Sequence, residues 1–131
     1  MSASTETISL ATAAAEAAAD KLAERILAFD VSEQLYIAEV FLLCSAANDR
    51  QVRAVVEAVE ERLQQDGSKP VRREGETDRR WVLLDYGDLI VHVQHAEDRE
   101  YYQLERLWRD CPIVEMPESV HGQRRPAAGE L

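Results

Sequence analysis

Only two of the 131 residues are cysteine, Cys44 and Cys111. That leaves no disulfide framework to staple the chain and no cysteine–histidine spacing of a zinc site. Cys44 lies inside an apolar run, where a thiol packs as a small hydrophobic group, and both thiols are expected to stay unpaired. No apolar run approaches the ~20 residues of a membrane-spanning helix. Basic charge is scarce: 15 Lys and Arg stand against 25 Asp and Glu, a net charge of −10. A broad nucleic-acid footprint needs clustered cations, so this balance argues against one and suits a basic protein partner. The pairs Arg72-Arg73 and Arg79-Arg80 are candidates for a local basic patch. The start of the chain has no basic segment followed by an apolar one. It has no arginine before Arg25, and it carries Glu6 and Glu16. Neither a secretory signal nor an organelle transit peptide is expected, and the protein is read as cytoplasmic. There is no glycine-rich phosphate loop and no serine nucleophile elbow.

What is there suffices for one domain able to bury about two-thirds of its unfolded surface. Residues 1–5 are read as a flexible start, 6–112 as the domain and 113–131 as a flexible tail, rich in proline and glycine and poor in apolar groups. Residues 6–24 are alanine-rich, and Ile8, Ala11, Ala15, Ala18 and Leu22 repeat at helical spacing. Residues 26–31 form a short strand, 32–38 a connector. Residues 39–45 are apolar at consecutive positions, as in a strand covered on both faces. Asn48 caps the next helix, with Gln51 three residues on. Val52, Val55, Val56, Val59 and Leu63 supply one apolar stripe, and Gly67 and Pro70 end the helix. Residues 70–74 suit an edge strand, because Pro70 cannot donate to a ladder. Residues 81–84 and 89–93 are two strands around the turn Asp85-Tyr86-Gly87-Asp88, with Gly87 able to take positive φ. Asp98 is expected to cap a last helix over residues 98–109, with Tyr101, Leu104 and Trp108 packed inward. Tyr102, Glu105 and Arg109 would share a separate face of that helix.

Paired carboxylates near a turn, Asp85 and Asp88, raise the question of magnesium-dependent nucleotidyl transfer. The spacing is Asp-x-x-Asp across a hairpin, and no Gly-Ser helix start precedes it. Turn fixation by side-chain to backbone hydrogen bonds, or binding of a partner, is the preferred reading. His92, alone in a strand, reads as a hydrogen-bonded core group. Trp81, Tyr86 and Tyr102 are large amphipathic side chains beside turns or helix surfaces, and such residues dominate interfaces.

The ordered set Trp81, Asp85, Gly87, Asp88, Val91-His92-Val93, Arg99, Tyr102, Leu104, Glu105, Leu107 and Trp108 resembles the signature of the ribosome silencing factor (Iojap-like) family. Upstream, Asp30-Val31-Ser32, Asp49-Arg50-Gln51-Val52 and Glu74-Gly75 fall where that family has its motifs. The resemblance covers roughly residues 10–109. It implies an α/β fold in which a five-stranded mixed sheet is flanked by helices, similar in outline to a nucleotidyltransferase core. It further implies a translational repressor, not an enzyme, that binds ribosomal protein fourteen of the large subunit. There it blocks the small subunit sterically and lowers translation when nutrients are limiting. On that resemblance Trp81, Asp85, Tyr86 and Tyr102 would touch the ribosomal protein. Asp88, Glu100 and Glu105 would offer it carboxylates. No cofactor and no sequence-specific nucleic-acid contact is expected, and an apolar patch around Trp81 and Tyr102 invites a weak homodimer. Two alternatives stand beside this reading: a divergent magnesium-dependent nucleotidyl transferase using Asp85 and Asp88, and a large-subunit assembly factor touching RNA through Arg72, Arg73, Arg79 and Arg80.

Overall fold

The first helix, α1 (Thr5–Asp20), starts where Ser4 accepts the Thr7 N–H at 3.1 Å, in a computed structural model that describes residues 2–75 and 77–122. Seven of its alanines are at most 5% exposed, and these small side chains let the helix lie close against its neighbours. It stops four residues short of the predicted Glu24. The chain folds back at Leu22 (φ 64°), and the Ala23 N–H reaches the Ala18 carbonyl, a left-handed closure that buries Ala23. The expected loose start is likewise tied down. Ala3 is 8% exposed, its N–H donates to Asp30, and the Ser4 N–H donates to Glu39.

Strand β1 (Glu24–Asp30) begins two residues early because a register shift between Glu24 and Leu27, with Arg25 at φ 53°, extends its pairing. After the connector comes β2 (Val40–Ala46), almost wholly buried. In α2 (Asp49–Gln65), Asn48 accepts the Gln51 N–H at 2.9 Å. The Gln51 side chain accepts from Ala47 and donates to the carbonyls of Lys21 and Leu22, fastening the start of α2 to the end of α1. The stripe Val52, Val55, Val56, Val59 and Leu63 is buried as its spacing requires. Edge strand β3 (Arg72–Glu74) is followed by β4 (Trp81–Asp85) and β5 (Leu89–His95), joined through Gly87 at φ 90°.

The five strands make one mixed sheet in the order β1-β2-β5-β4-β3, with β2 and β5 parallel and every other pair antiparallel. Alternation along the strands sorts the side chains into two faces. Ile26, Ala28, Val40, Leu42, Cys44, Val82, Leu84, Leu89, Val91 and Val93 pack into one core with α1 and α2. The opposite face carries Phe29, Phe41, Leu43, Leu83 and Ile90. Among the described residues, no long helix covers that face. It is roofed in part by α3 (Ala96–Tyr102) and a 3-10 turn (Leu104–Arg106).

Two expectations for the C-terminal third are corrected here. The last helix is not one helix over 98–109 capped by Asp98. His95 caps α3, its Nδ1 accepting the Glu97 N–H, and Gln103 in the left-handed region (φ 50°) breaks the helix before the 3-10 turn. Tyr101 is therefore turned out to solvent, 79% exposed, while Leu104 and Trp108 pack inward. The tail beyond Pro112 is ordered as far as it is described. Asp30 N–H donates to the Pro112 carbonyl, Val114 N–H to the Ala28 carbonyl, and Ile113 bridges Phe29, so the chain closes the edge of β1. A short α4 (Glu118–Gly122) follows, with Val120 1% exposed in the core shared with α1. The rest of the expected flexible tail lies outside the described residues. Both cysteines are buried and unpaired. Among the described residues, no helix is long and apolar enough to cross a membrane.

Candidate functional site

The half-covered face of the sheet carries a continuous line of rings. Trp108 meets Phe41 edge-on at 5.1 Å, Phe41 lies 5.2 Å from His92, and His92 lies 6.2 Å from Trp81. Trp81 packs on Tyr102 at 5.0 Å, and Tyr102 meets Tyr101 at 4.9 Å. Register explains the line. Phe41 pairs with Ile90, Leu43 with His92 and His92 with Leu83, while Trp81 and Leu83 alternate with the buried Val82 and Leu84. Phe41, His92 and Trp81 therefore stand on the sheet face opposite α1 and α2, and Tyr101 and Tyr102 of α3 and Trp108, just after the 3-10 turn, meet them from above.

His92 is the hinge of the line. Its Nδ1 accepts the Trp81 indole N–H at 3.1 Å, which fixes the indole and leaves the imidazole proton on Nε2. Burial, helped by the nearby Arg99 charge, pushes His92 down to about 4. The folded pKa thus lies below the ordinary 6.5, so the unfolded chain binds the proton more readily. The stability contributed by neutral His92 is complete above pH 6.5 and is lost as pH falls toward 4, at about 1.4 kcal/mol per pH unit within that window. Urea midpoints measured between pH 7 and 4.5 are expected to show this fall. His92→Gln should flatten it, and an equal slope in both proteins would remove His92 as its source.

The expected site residues divide into two groups. Trp81 and Tyr102 are in contact, half-buried and 51% exposed respectively. Asp85 lies four residues along the same face of β4, about 13 Å from Trp81 at ordinary strand rise. One of its carboxylate oxygens accepts the Gly87 N–H at 2.8 Å, and the other lies 3.6 Å from Arg72. Asp88 is exposed at the end of this turn. Glu100 and Glu105 both pair with Arg25, at 3.2 and 2.8 Å, and Glu105 also accepts from the buried Arg99 at 3.0 Å. Glu105, at 19% side-chain exposure, is turned toward the interior more than toward a partner. Tyr86 stands apart from the others. Its ring packs on the α1/α2 core and its hydroxyl is buried, which together with the Glu60 charge raises its pKa to about 12.

The arginines of the expected basic patch are largely engaged within the chain. Arg72 pairs with Glu74 and Asp85, Arg73 with Glu60, and Arg80 with Glu97 and Asp98. Sequence reasoning missed Phe41 as part of the face and placed Trp108 wholly in the core. The parallel register of β2 against β5 sets Phe41 beside His92, and the turn after the 3-10 helix lays Trp108 on Phe41; nothing in the local sequence reveals either. Among the described residues, no group of three or more His, Cys, Asp or Glu is arranged to hold a metal.

Comparison with known proteins adds a second line of observation. Residues 4–130 match the family described as "Ribosomal silencing factor during starvation", a longer stretch than the motifs alone suggested. A protein of Bacillus subtilis named ribosomal silencing factor is 41% identical over 103 residues, 79% of this chain and 87% of that one. A crystal structure of a protein from Chromobacterium violaceum superposes with a TM-score of 0.77 at 31% identity, covering 80% of this chain and 88% of the other. A mouse protein named for mitochondrial assembly of the ribosomal large subunit is 27% identical over 66% of this chain and 39% of its own length.

Proposed function

The chain belongs to the ribosomal silencing factor family, and from that premise we propose that it is a translational repressor that docks on the large ribosomal subunit and keeps the small subunit away. The observation that carries this reading is the aromatic line from Trp108 to Tyr101, running across a sheet face that α3 covers only in part. Aromatic anchors are the side chains that dominate association energy. The contact surface is centred on Trp81 and Tyr102, with Phe41 and Trp108 extending it across the sheet. Asp85, Asp88 and the exposed Glu100 form an acidic rim facing a basic protein, with ribosomal protein fourteen as the partner. Such rim charges set the on-rate and its salt dependence more than the affinity. An interface of roughly 1,600 Å² in total is enough for specific binding. The action is steric, with no substrate turned over, and takes place in the cytoplasm where ribosomes work.

Pelleting with purified large subunits tests the reading. Saturable co-sedimentation with large subunits and none with small subunits is the expected result. Absence of binding to purified large subunits would refute it. A role in large-subunit assembly is the second reading, favoured by the name of the mouse relative. Strongly salt-dependent binding to naked ribosomal RNA would distinguish it.

The same face supports self-association. Tyr101, Tyr102 and Leu107 are 79%, 51% and 71% exposed on neighbouring turns. Apolar groups grouped in this way invite pairing. A weak homodimer that competes with docking is the expected behaviour. Analytical ultracentrifugation showing monomer alone at high protein concentration would end that part of the account.

A further inference from the structure

Strand β5 and α3 carry buried polar groups beneath the docking face, and of these only His92, through Nδ1, is bonded to that face. His92 and Gln94 point to the same side of β5, 6% and 0% exposed, and Arg99 of α3 is 0% exposed. Gln94 stands between Ser45 of β2 and Trp81 of β4 in register, and the charge of Arg99 is felt at both His92 and Cys44 of these strands. Arg99 Nε donates to Glu105. Arg99 Nη1 and Nη2, both ends of the Gln94 amide, and His92 Nε2 have no hydrogen-bond partner among the described residues. Buried polar groups in folded proteins are rarely left so.

The unmet groups are lopsided. His92 Nδ1 is taken by Trp81, so Nε2 carries hydrogen. The unmet groups therefore comprise donors at four nitrogens and a single acceptor, Gln94 Oε1. Exchanging the two ends of the amide leaves this tally unchanged. A water molecule brings as many donors as acceptors and leaves most of these N–H groups unanswered, whereas an anion accepts from all of them. Charge points the same way. Glu105 gives one carboxylate oxygen to Arg99 and the other to Arg25, and the remaining partner of Arg25, Glu100, is 72% exposed. One sheltered carboxylate thus serves two guanidinium groups, and a buried cation with half a counter-charge is costly.

We propose that Arg99, Gln94 and His92 form a buried site for a small monovalent anion, of about the size of chloride, at the joint between α3 and the sheet. The anion accepts from Arg99 Nη1 and Nη2, Gln94 Nε2 and His92 Nε2, and it holds α3 down on β5. The site does not depend on ribosome docking.

Thermal unfolding of the full chain in sodium chloride against sodium gluconate, at equal ionic strength, reads the site, because gluconate is too large to enter. Chloride at about ten times its Kd is expected to raise Tm by roughly 3–6 °C over gluconate. Gln94→Leu and Arg99→Met should abolish the difference. If Arg99→Met fails to fold, Gln94→Leu decides alone, since it leaves the Arg99–Glu105 pair untouched. Crystals grown in sodium bromide should show an anomalous peak beside Arg99 Nη1 and Nη2. Equal melting in the two salts overturns the proposal, as does a chloride effect that persists in Gln94→Leu. A bromide peak without a chloride-dependent shift means binding at crystal concentration only and overturns it too.

Discussion

Replacing Trp81 by alanine is expected to weaken binding to the large ribosomal subunit by roughly 2–4 kcal/mol, about 30- to 900-fold in Kd, with the fold retained. Trp81 is the central ring of the line, in contact with Tyr102 at 5.0 Å and bonded to His92 at 3.1 Å. Its neighbours in the chain, Val82 and Leu84, are 2% and 0% exposed and hold β4 in the core from the other side. Truncation therefore removes the anchor without releasing the strand. It also leaves His92 Nδ1 without its donor, so some stability is lost alongside affinity. Binding must be measured on a variant whose circular dichroism is unchanged, by pelleting with large subunits over a concentration series. Tyr102→Ala, which removes the ring packed at a tilt on the indole, should weaken binding in the same direction and by less. A folded Trp81→Ala protein with unaltered affinity would remove this face from the interface.

The second large effect is on stability. Gly75→Ala is expected to destabilise the fold by roughly 3–5 kcal/mol, combining left-handed backbone strain with overpacking. Gly75 has φ 82°, and a Cβ there would lie 2.0 Å from the Trp81 carbonyl oxygen. That oxygen belongs to the backbone at the start of β4, so relief of the clash requires the strand carrying Trp81 to move. Gly87 is the control. Its φ is 90°, but nothing lies within 4 Å of an added Cβ, so Gly87→Ala should cost only the backbone term, about 1–2 kcal/mol. Urea denaturation of the three proteins measures both. Equal midpoints for the two variants would show that the close approach to Trp81 carries no energetic weight.

Local chemistry made much of this fold readable in advance. The Asn48 cap, the valine stripe of α2, the Gly87 turn and the placement of β3 at an edge each depend on groups within a few residues of one another. What misled was settled at long range. Gln103 takes a left-handed conformation and breaks the last helix because Arg99 is drawn beneath α3 to Glu105 while Leu104 and Trp108 turn inward. Residues 112–114 are ordered by the open edge of β1, more than eighty positions earlier in the chain, and no local signal foretells such a partner. The same limit applies to the candidate face. Trp81 and Tyr102 stand out by type, but their contact depends on how α3 packs on the sheet, and the place of Phe41 beside His92 follows from strand register. Glu105 shows the converse. A carboxylate on an apparently polar helix face proves to be an internal counter-charge shared by Arg25 and Arg99.

Sedimentation of separated ribosomal subunits mixed with this protein tests the central claim most directly. With the protein in saturating excess over large subunits, the peak of joined ribosomes should shrink in favour of separate particles, and the protein should travel with the large one. Trp81→Ala should restore joining. Undiminished joining under saturation, with the wild-type chain folded, would contradict the account.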